Sequence, residues 1–191
     1  MWPWSHLAVG YVAFSAFVRI ALRRRPSDRA AVVLAVATQL PDLIDKPLAW
    51  QFGLLSNGVG AAHSLIVGVP VALAVAVGLR FRGQAEFGAA VAIGHVIHVL
   101  GDILFAGLFG RPPVLPSFLW PVYAPPVSAS APPGLGAKTL QLLLDSRALL
   151  GGEVGRTYFL AQGLFLCGTA ALWLRDGKPG FALPRSVWRS K

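Results

Sequence analysis

Charge is what this sequence has least of. Asp, Glu, Lys and Arg make up 13% of its 191 residues, against about a quarter in a soluble globular domain. Apolar side chains fill 55% of the chain and the mean hydropathy is +0.62. A water-soluble domain is excluded and a membrane protein is indicated. Cysteine occurs once, as Cys167 within an apolar run, so no disulfide framework staples the fold. Acidic residues number 8 against 17 basic ones, a net charge of +9. The basic residues lie between apolar runs rather than along one face. That pattern suits membrane orientation and anionic lipid, and it argues against a nucleic-acid partner. A cleaved leader would need its basic segment ahead of the apolar stretch. Here Arg23, Arg24 and Arg25 follow it, so a retained first helix is expected.

Apolar runs long enough to span, at about 20 residues each, are present. They cover Ser5–Leu22, Asp28–Leu48, Ala62–Phe81, Phe87–Phe109 and Thr157–Leu174. The expectation is an all-α, multi-pass membrane helix bundle of about five transmembrane helices in a single domain over residues 1–191. A four-helix core would occupy 1–109. A proline-rich outer loop at 110–155 would include a short interfacial helix over Ala137–Leu150, since its prolines forbid one regular helix. The fifth helix would fill 156–175, and a basic tail 176–191.

Positive charge predicts the orientation. With the N-terminus outside, eleven basic residues fall inside: Arg23, Arg24, Arg25, Arg29, Arg80, Arg82, Arg175, Lys178, Arg185, Arg189 and Lys191. Five fall outside, on longer loops: Lys46, Arg111, Lys138, Arg147 and Arg156. A cytoplasmic C-terminus follows. Trp2, Trp4, Trp120 and Tyr123 would then form an aromatic belt at the outer interface.

Only four histidines occur, His6, His63, His95 and His98, and three of the six aspartates stand near them, Asp42, Asp45 and Asp102. Under the predicted topology all seven fall in the outer half of the bundle. Polar groups in lipid-spanning segments are costly and mark function by default. On a helix His95, His98 and Asp102 share an arc of about 60° at 100° per residue, and Asp42 and Asp45 share another face. Gly94 and Gly101 remove bulk where a neighbouring helix approaches. Imidazole nitrogens with carboxylate oxygens form a ligand set for zinc or a similar divalent ion.

A lone helical histidine is more often a packing residue than a ligand. His95 suits a place behind the true ligands, lining the cavity or orienting one of them. Asp42 has a capping role open to it at the Pro41 irregularity, and Lys46 offers Asp45 a partner. A whole set gathered at one depth is harder to read as packing. A serine hydrolase is disfavoured: Ser64 and His63 are adjacent, so on a helix they point about 100° apart, and no nucleophile elbow surrounds the serine. The glycines at 101, 107 and 110 follow no strand and form no phosphate loop.

These residues resemble the pattern of the membrane-bound, metal-dependent hydrolases of bacteria and archaea, the YdjM-like, LexA-binding inner-membrane family. The elements are His6, Pro41-Asp42-Leu43-Ile44-Asp45, the pair His63-Ser64, His98-Val99-Leu100-Gly101-Asp102, and Trp120-Pro121, spread over about residues 1–125. The acidic segment is one residue longer than the family's Asp-x-Asp, which leaves open which aspartate is the ligand. Asn57-Gly58-Val59-Gly60-Ala61-Ala62 stands where the family often has His-Arg-Gly. More distantly, the order of residues is similar to zinc-dependent phospholipase C and P1 nuclease. That resemblance implies one ion on Asp42 or Asp45 with His63, His98 and Asp102, and a second on His6 with Asp102 bridging. It also places His95 and Ser64 behind the ligands.

The expected function is hydrolysis of a phosphoester, a lipid headgroup or lipid-linked phosphate, at the outer face of the cell (inner) membrane. One or two divalent ions, zinc by ligand type, would serve as cofactor, with Asp42, Asp45 and Asp102 as the candidate catalytic carboxylates. Membrane lipid is the expected partner. The alternatives are a metal or proton transporter, or a non-catalytic regulatory protein with a degenerate site. A transporter should carry polar groups on towards the inner side, where the sequence offers little beyond Thr38 and Gln39.

Overall fold

The structure, a computed structural model, describes residues 1–108, 115–127 and 131–181. Arg111 and the basic tail beyond residue 181 lie outside the described residues. Seven α-helices appear among the described residues: α1 (Pro3–Ala21), α2 (Asp28–Ala37), α3 (Leu40–Trp50), α4 (Gly68–Phe81), α5 (Ala85–Leu108), α6 (Leu135–Leu149) and α7 (Glu153–Arg175). A single 3-10 turn covers Leu115–Leu119. No strand occurs among these residues, and the all-α expectation holds.

The number of spans is corrected. Among the described residues three helices are long and apolar enough to cross a membrane, α1, α5 and α7, rather than the five expected. The run Asp28–Leu48 divides at Thr38–Gln39 into helices of 10 and 11 residues. Pro41 causes the division, because its ring collides with the carbonyl four residues back and it has no N–H to donate. The run Ala62–Phe81 becomes helical only at Gly68, leaving 14 residues, about 21 Å of helix at 1.5 Å per residue. That is shorter than a hydrocarbon core of about 30 Å. Residues 61–67 instead form a turn, held by the Ser64 hydroxyl, which accepts from the amides of Ile66 (3.0 Å) and Val67 (3.1 Å).

Helix α5 is the spine, in contact with α1, α2, α3 and α4. Its packing with α1 and α2 builds the core of Tyr11, Phe14, Val18, Ala30, Leu34 and Ala90. Helix α7 leans on α1 and buries only Gly155, so its surface is left to lipid. Helix α6 matches the expected interfacial helix in place, and it buries no residue.

Polar contacts tie the helices together at the end remote from the aspartates of α3. Glu86 takes Arg24 (2.5 Å) and the Ser27 amide (2.8 Å), and Asp28 accepts the Gly180 amide at 2.7 Å. Asp176, just past α7, accepts from Tyr11 (2.7 Å), Ser15 (2.6 Å) and Arg19 of α1. Burial alone would raise the Asp176 carboxyl, but those three donors hold it below the usual carboxylate range. The contacts of Arg19, Arg24, Ser27 and Glu86 put the arginine-rich turns at this end of the bundle. The histidines and the α3 aspartates lie at the other.

Candidate metal centre

Three local decisions assemble the site. The break after α2 frees the Thr38 carbonyl from the helix ladder, and His98 of α5 donates its Nδ1–H to it at 2.7 Å. The turn after α3 folds around Asp45, whose carboxylate accepts the amides of Gly60 (2.8 Å), Ala62 (3.2 Å) and His63 (3.0 Å). Asp45 also takes Nδ1–H of His63 at 2.8 Å. Close helix approach does the rest. A Cβ on Gly94 would stand 2.8 Å from the Ala37 Cβ, and one on Gly101 3.5 Å from His6 Nδ1. The two glycines occupy the approach points that the sequence predicted.

With both Nδ1 atoms committed to acceptors, both Nε2 atoms face inward as bare lone pairs. They lie 3.1 Å apart. Asp42 Oδ1 stands 3.4 Å from His63 Nε2 and 3.6 Å from His98 Nε2. Asp102 Oδ2 stands 3.7 Å and 3.6 Å from the same two atoms. The four residues offer ligand atoms all within 4.8 Å of one another. A tetrahedral ion with bonds of about 2.0–2.1 Å needs ligand–ligand edges of about 3.3–3.4 Å. The imidazole–imidazole edge and the four imidazole–carboxylate edges, 3.1 to 3.7 Å, lie near that value, so the four residues could hold a divalent ion.

Electrostatics points the same way. Asp42 Oδ1 is buried and has no hydrogen-bond partner, and all the converging atoms are acceptors. Buried polar atoms without partners are costly, and acceptors facing acceptors are worse. A cation between them satisfies all four, whereas a proton satisfies one pair. His63 and His98 are essentially inaccessible, at 1% and 0% exposure.

The remaining sequence candidates take different places. His6 is fully buried and stacks on His98, ring centroids 3.9 Å apart. Its Nε2 lies 3.2 Å from Asp102 Oδ1, and neither ring nitrogen has a hydrogen-bond partner. The Met1 amine also contacts Asp102. His95 is buried at 5% exposure and stands outside the four-residue cluster. Ser64 is absent from the cluster too. Its hydroxyl is spent on the turn and on the Trp120 carbonyl.

Two readings of the acidic segment are corrected. Asp42 faces the cluster and Asp45 stands behind His63, outside the four-residue set. Both of its oxygens are engaged, which leaves no free atom for general-base work. Lys46 pairs with Asp42, its i,i+4 neighbour, and not with the adjacent Asp45. Adjacent helical residues do not face each other.

Sequence reasoning missed the Thr38 carbonyl, the Gly60 and Ala62 amides, and Phe118. Phe118 packs edge-on against His63 at 6.1 Å and accepts the Leu65 amide at 2.8 Å. A helix break a few residues before Pro41 was the available signal for Thr38. Nothing in the sequence pointed to Phe118.

Gly94 gives a direct test of this assembly. Gly94→Ala is expected to push α5 from the α2–α3 break, at a cost of about 1–3 kcal/mol for overpacking. It should also lengthen the His98–Thr38 bond and weaken retention of divalent metal. Thermal melting and metal analysis of the purified variant check both.

A family model described as YdjM inner membrane protein matches residues 1–175. That span runs past the expected 1–125 and takes in α6 and α7. No curated protein and no solved structure matches the chain significantly. The family's description carries a location and no reaction. The chain belongs to the YdjM inner membrane protein family and is a protein of the inner membrane.

Proposed function

We propose that the chain is a membrane-embedded, metal-dependent hydrolase acting on a phosphoester, such as a lipid headgroup or a lipid-linked phosphate. The observation that carries the reading is the convergence of His63 Nε2, His98 Nε2, Asp42 Oδ1 and Asp102 Oδ2, three of them on buried residues and the fourth on the half-buried Asp102, with no donor among them. Those four residues would hold the ion, and zinc suits their mixed nitrogen and oxygen donors. When bound, such an ion would supply Lewis acidity and a nearby water acidified towards neutral pH.

The chain's own groups divide the remaining work. Asp45 and the Thr38 carbonyl fix the tautomer and direction of the two ligand imidazoles. Asp102 turns Oδ2 to the cluster and Oδ1 to His6. That pair is where a proton from the attacking water would be held, on Asp102 Oδ1 and then on His6 Nε2. The same pair is where a second ion would sit if two are bound. The phosphoester class rests on the order of His6, Asp42, His63, His98 and Asp102 along the chain, read as a resemblance to zinc phospholipase C and P1 nuclease. Separation of the site from the arginine-rich end supports a site near the outer face, under the rule that basic turns stay inside.

Metal analysis and turnover of one preparation test the reading. Detergent-purified protein should carry one or two equivalents of divalent metal and release phosphate or headgroup from phospholipid in mixed micelles. No stoichiometric metal after reconstitution would end the proposal. Metal without turnover would move the reading to a transporter or a regulatory scaffold.

A further inference from the structure

Against the C-terminal end of α3, at Ala49 and Trp50, lies a cavity of about 380 Å³, within the usual range of small-molecule pockets. Trp50, Ser56, Asn57, Gly58, Pro133 and Lys138 are among its lining residues. Among the described residues its lining contains one charged side chain, Lys138, and no carboxylate. The wall is fastened by backbone: the Gly134 amide donates to the Trp50 carbonyl at 2.8 Å, and Leu135 N–H donates to Gln51 Oε1 at 3.3 Å.

Lys46, which is not itself among the lining residues, packs against two of them and pairs with Asp42 of the candidate metal centre. It stands one turn after Asp42 on α3, and its ammonium pairs with Asp42 Oδ2 while Asp42 Oδ1 faces the histidines. Its stem runs between two of the lining residues. The ammonium lies 5.6 Å from the Trp50 ring centroid, and a Cβ on Gly58 would stand 3.1 Å from Lys46 Cγ and 3.3 Å from the Trp50 ring. Any larger residue at 58 would crowd that stem. Lys46 keeps 28% of its side chain exposed while Asp42 keeps 9%, so the lysine is the more accessible partner of the pair.

We propose that this cavity receives the anionic group of the substrate, a phosphate mono- or diester, and that Lys46 contacts a phosphoryl oxygen as it reaches the metal centre. The proposal rests on the hydrolase reading and adds the substrate's place and a binding residue. A carboxylate shared with a divalent ion holds its ammonium partner less strongly, because the ion takes up part of its charge. Filling the metal site therefore frees Lys46 for an incoming anion. Lys138 adds a second positive charge on the wall, and the absence of lining carboxylates disfavours a cationic ligand. The chain has no His-Arg-Gly ahead of His63, and Lys46 supplies cationic character at this point from α3.

Calorimetric titration of zinc-loaded protein with inorganic phosphate, and separately with short-chain phosphatidic acid, tests the proposal. Wild type should bind at least one of them. Lys46→Met should weaken that binding about 10- to 100-fold, the range for loss of a charged hydrogen bond, with zinc content unchanged. Lys46→Arg should restore most of the affinity, and Lys138→Met should weaken it by a smaller factor. Binding of phosphate alone would assign a soluble ester as the source, and binding of the lipid alone a headgroup.

Equal affinities for wild type and Lys46→Met at equal zinc content would overturn the proposal and leave the metal centre standing. So would zinc lost in Lys46→Met and regained in Lys46→Arg, which would make Lys46 a positioning residue for Asp42. Wild type that holds no zinc would end the hydrolase reading and this one with it.

Discussion

His98→Ala is expected to abolish stoichiometric metal binding and any phosphoester turnover together. His98 Nε2 borders three of the other ligand atoms, at 3.1, 3.6 and 3.6 Å. The loss in metal affinity should exceed the 10- to 100-fold typical of a group that merely orients a ligand. The substitution also strands the Thr38 carbonyl and removes the ring on which His6 stacks, so some stability is lost as well. His95→Ala separates the two effects. It removes a buried histidine from the same face of α5 but leaves all four cluster residues in place, so metal should be retained near the wild-type level. A chelator series adds a further check. A bound ion stabilises the folded state by mass action, so chelation should lower the melting point of wild type and His95→Ala but not of His98→Ala. Equal metal loss in the two alanine variants would mean that packing on α5, not ligation, governs the site.

The sequence carried the membership of this site better than its internal order. Histidine and aspartate are so costly in apolar helices that their mere positions nominated the site, and helical spacing put His98 and Asp102 on one face. The Arg24–Glu86 and Arg19–Asp176 contacts put the arginine-rich turns at the end of the bundle remote from the α3 aspartates. The roles of Asp42 and Asp45 were not legible. Three residues apart, they share a helix face in any pattern count, and what separates them is a turn at residues 60–63 that folds back onto Asp45. Non-local backbone donors of that kind leave no periodic trace.

The span count failed for a related reason. Hydropathy sums apolar residues without asking whether the backbone runs straight. Ala62–Phe81 is apolar enough to span, yet its first six residues serve Asp45 and the cluster rather than a helix. Likewise Asp28–Leu48 has the length of a span, but Pro41 breaks it where His98 needs a carbonyl. Both departures occur at the candidate metal centre, where local preference yields to the His/Asp cluster.

The paired substitutions Asp42→Asn and Asp45→Asn should therefore give opposite results, although the residues stand one helical turn apart. Asp45 is a structural acceptor. Asparagine there keeps one oxygen and turns an NH2 group towards backbone amides that themselves donate. The expected cost is on the order of 3 kcal/mol, through lost charged hydrogen bonds and buried donors left unpaired. It should appear with or without metal. His63 would also lose the partner that holds its Nδ1–H, and metal affinity should fall about 10- to 100-fold. Asp42 is different. Its Oδ1 is one of several buried acceptors facing one another, a repulsion that a bound cation relieves. An amide at 42 relieves it without the ion, by donating to His63 or His98. Metal-free Asp42→Asn should accordingly melt at or above metal-free wild type while holding metal poorly. Melting of the metal-free proteins, read beside their metal content, decides the point. If metal-free Asp42→Asn melts as far below wild type as Asp45→Asn does, both aspartates serve the fold and the four-acceptor centre loses its strongest support.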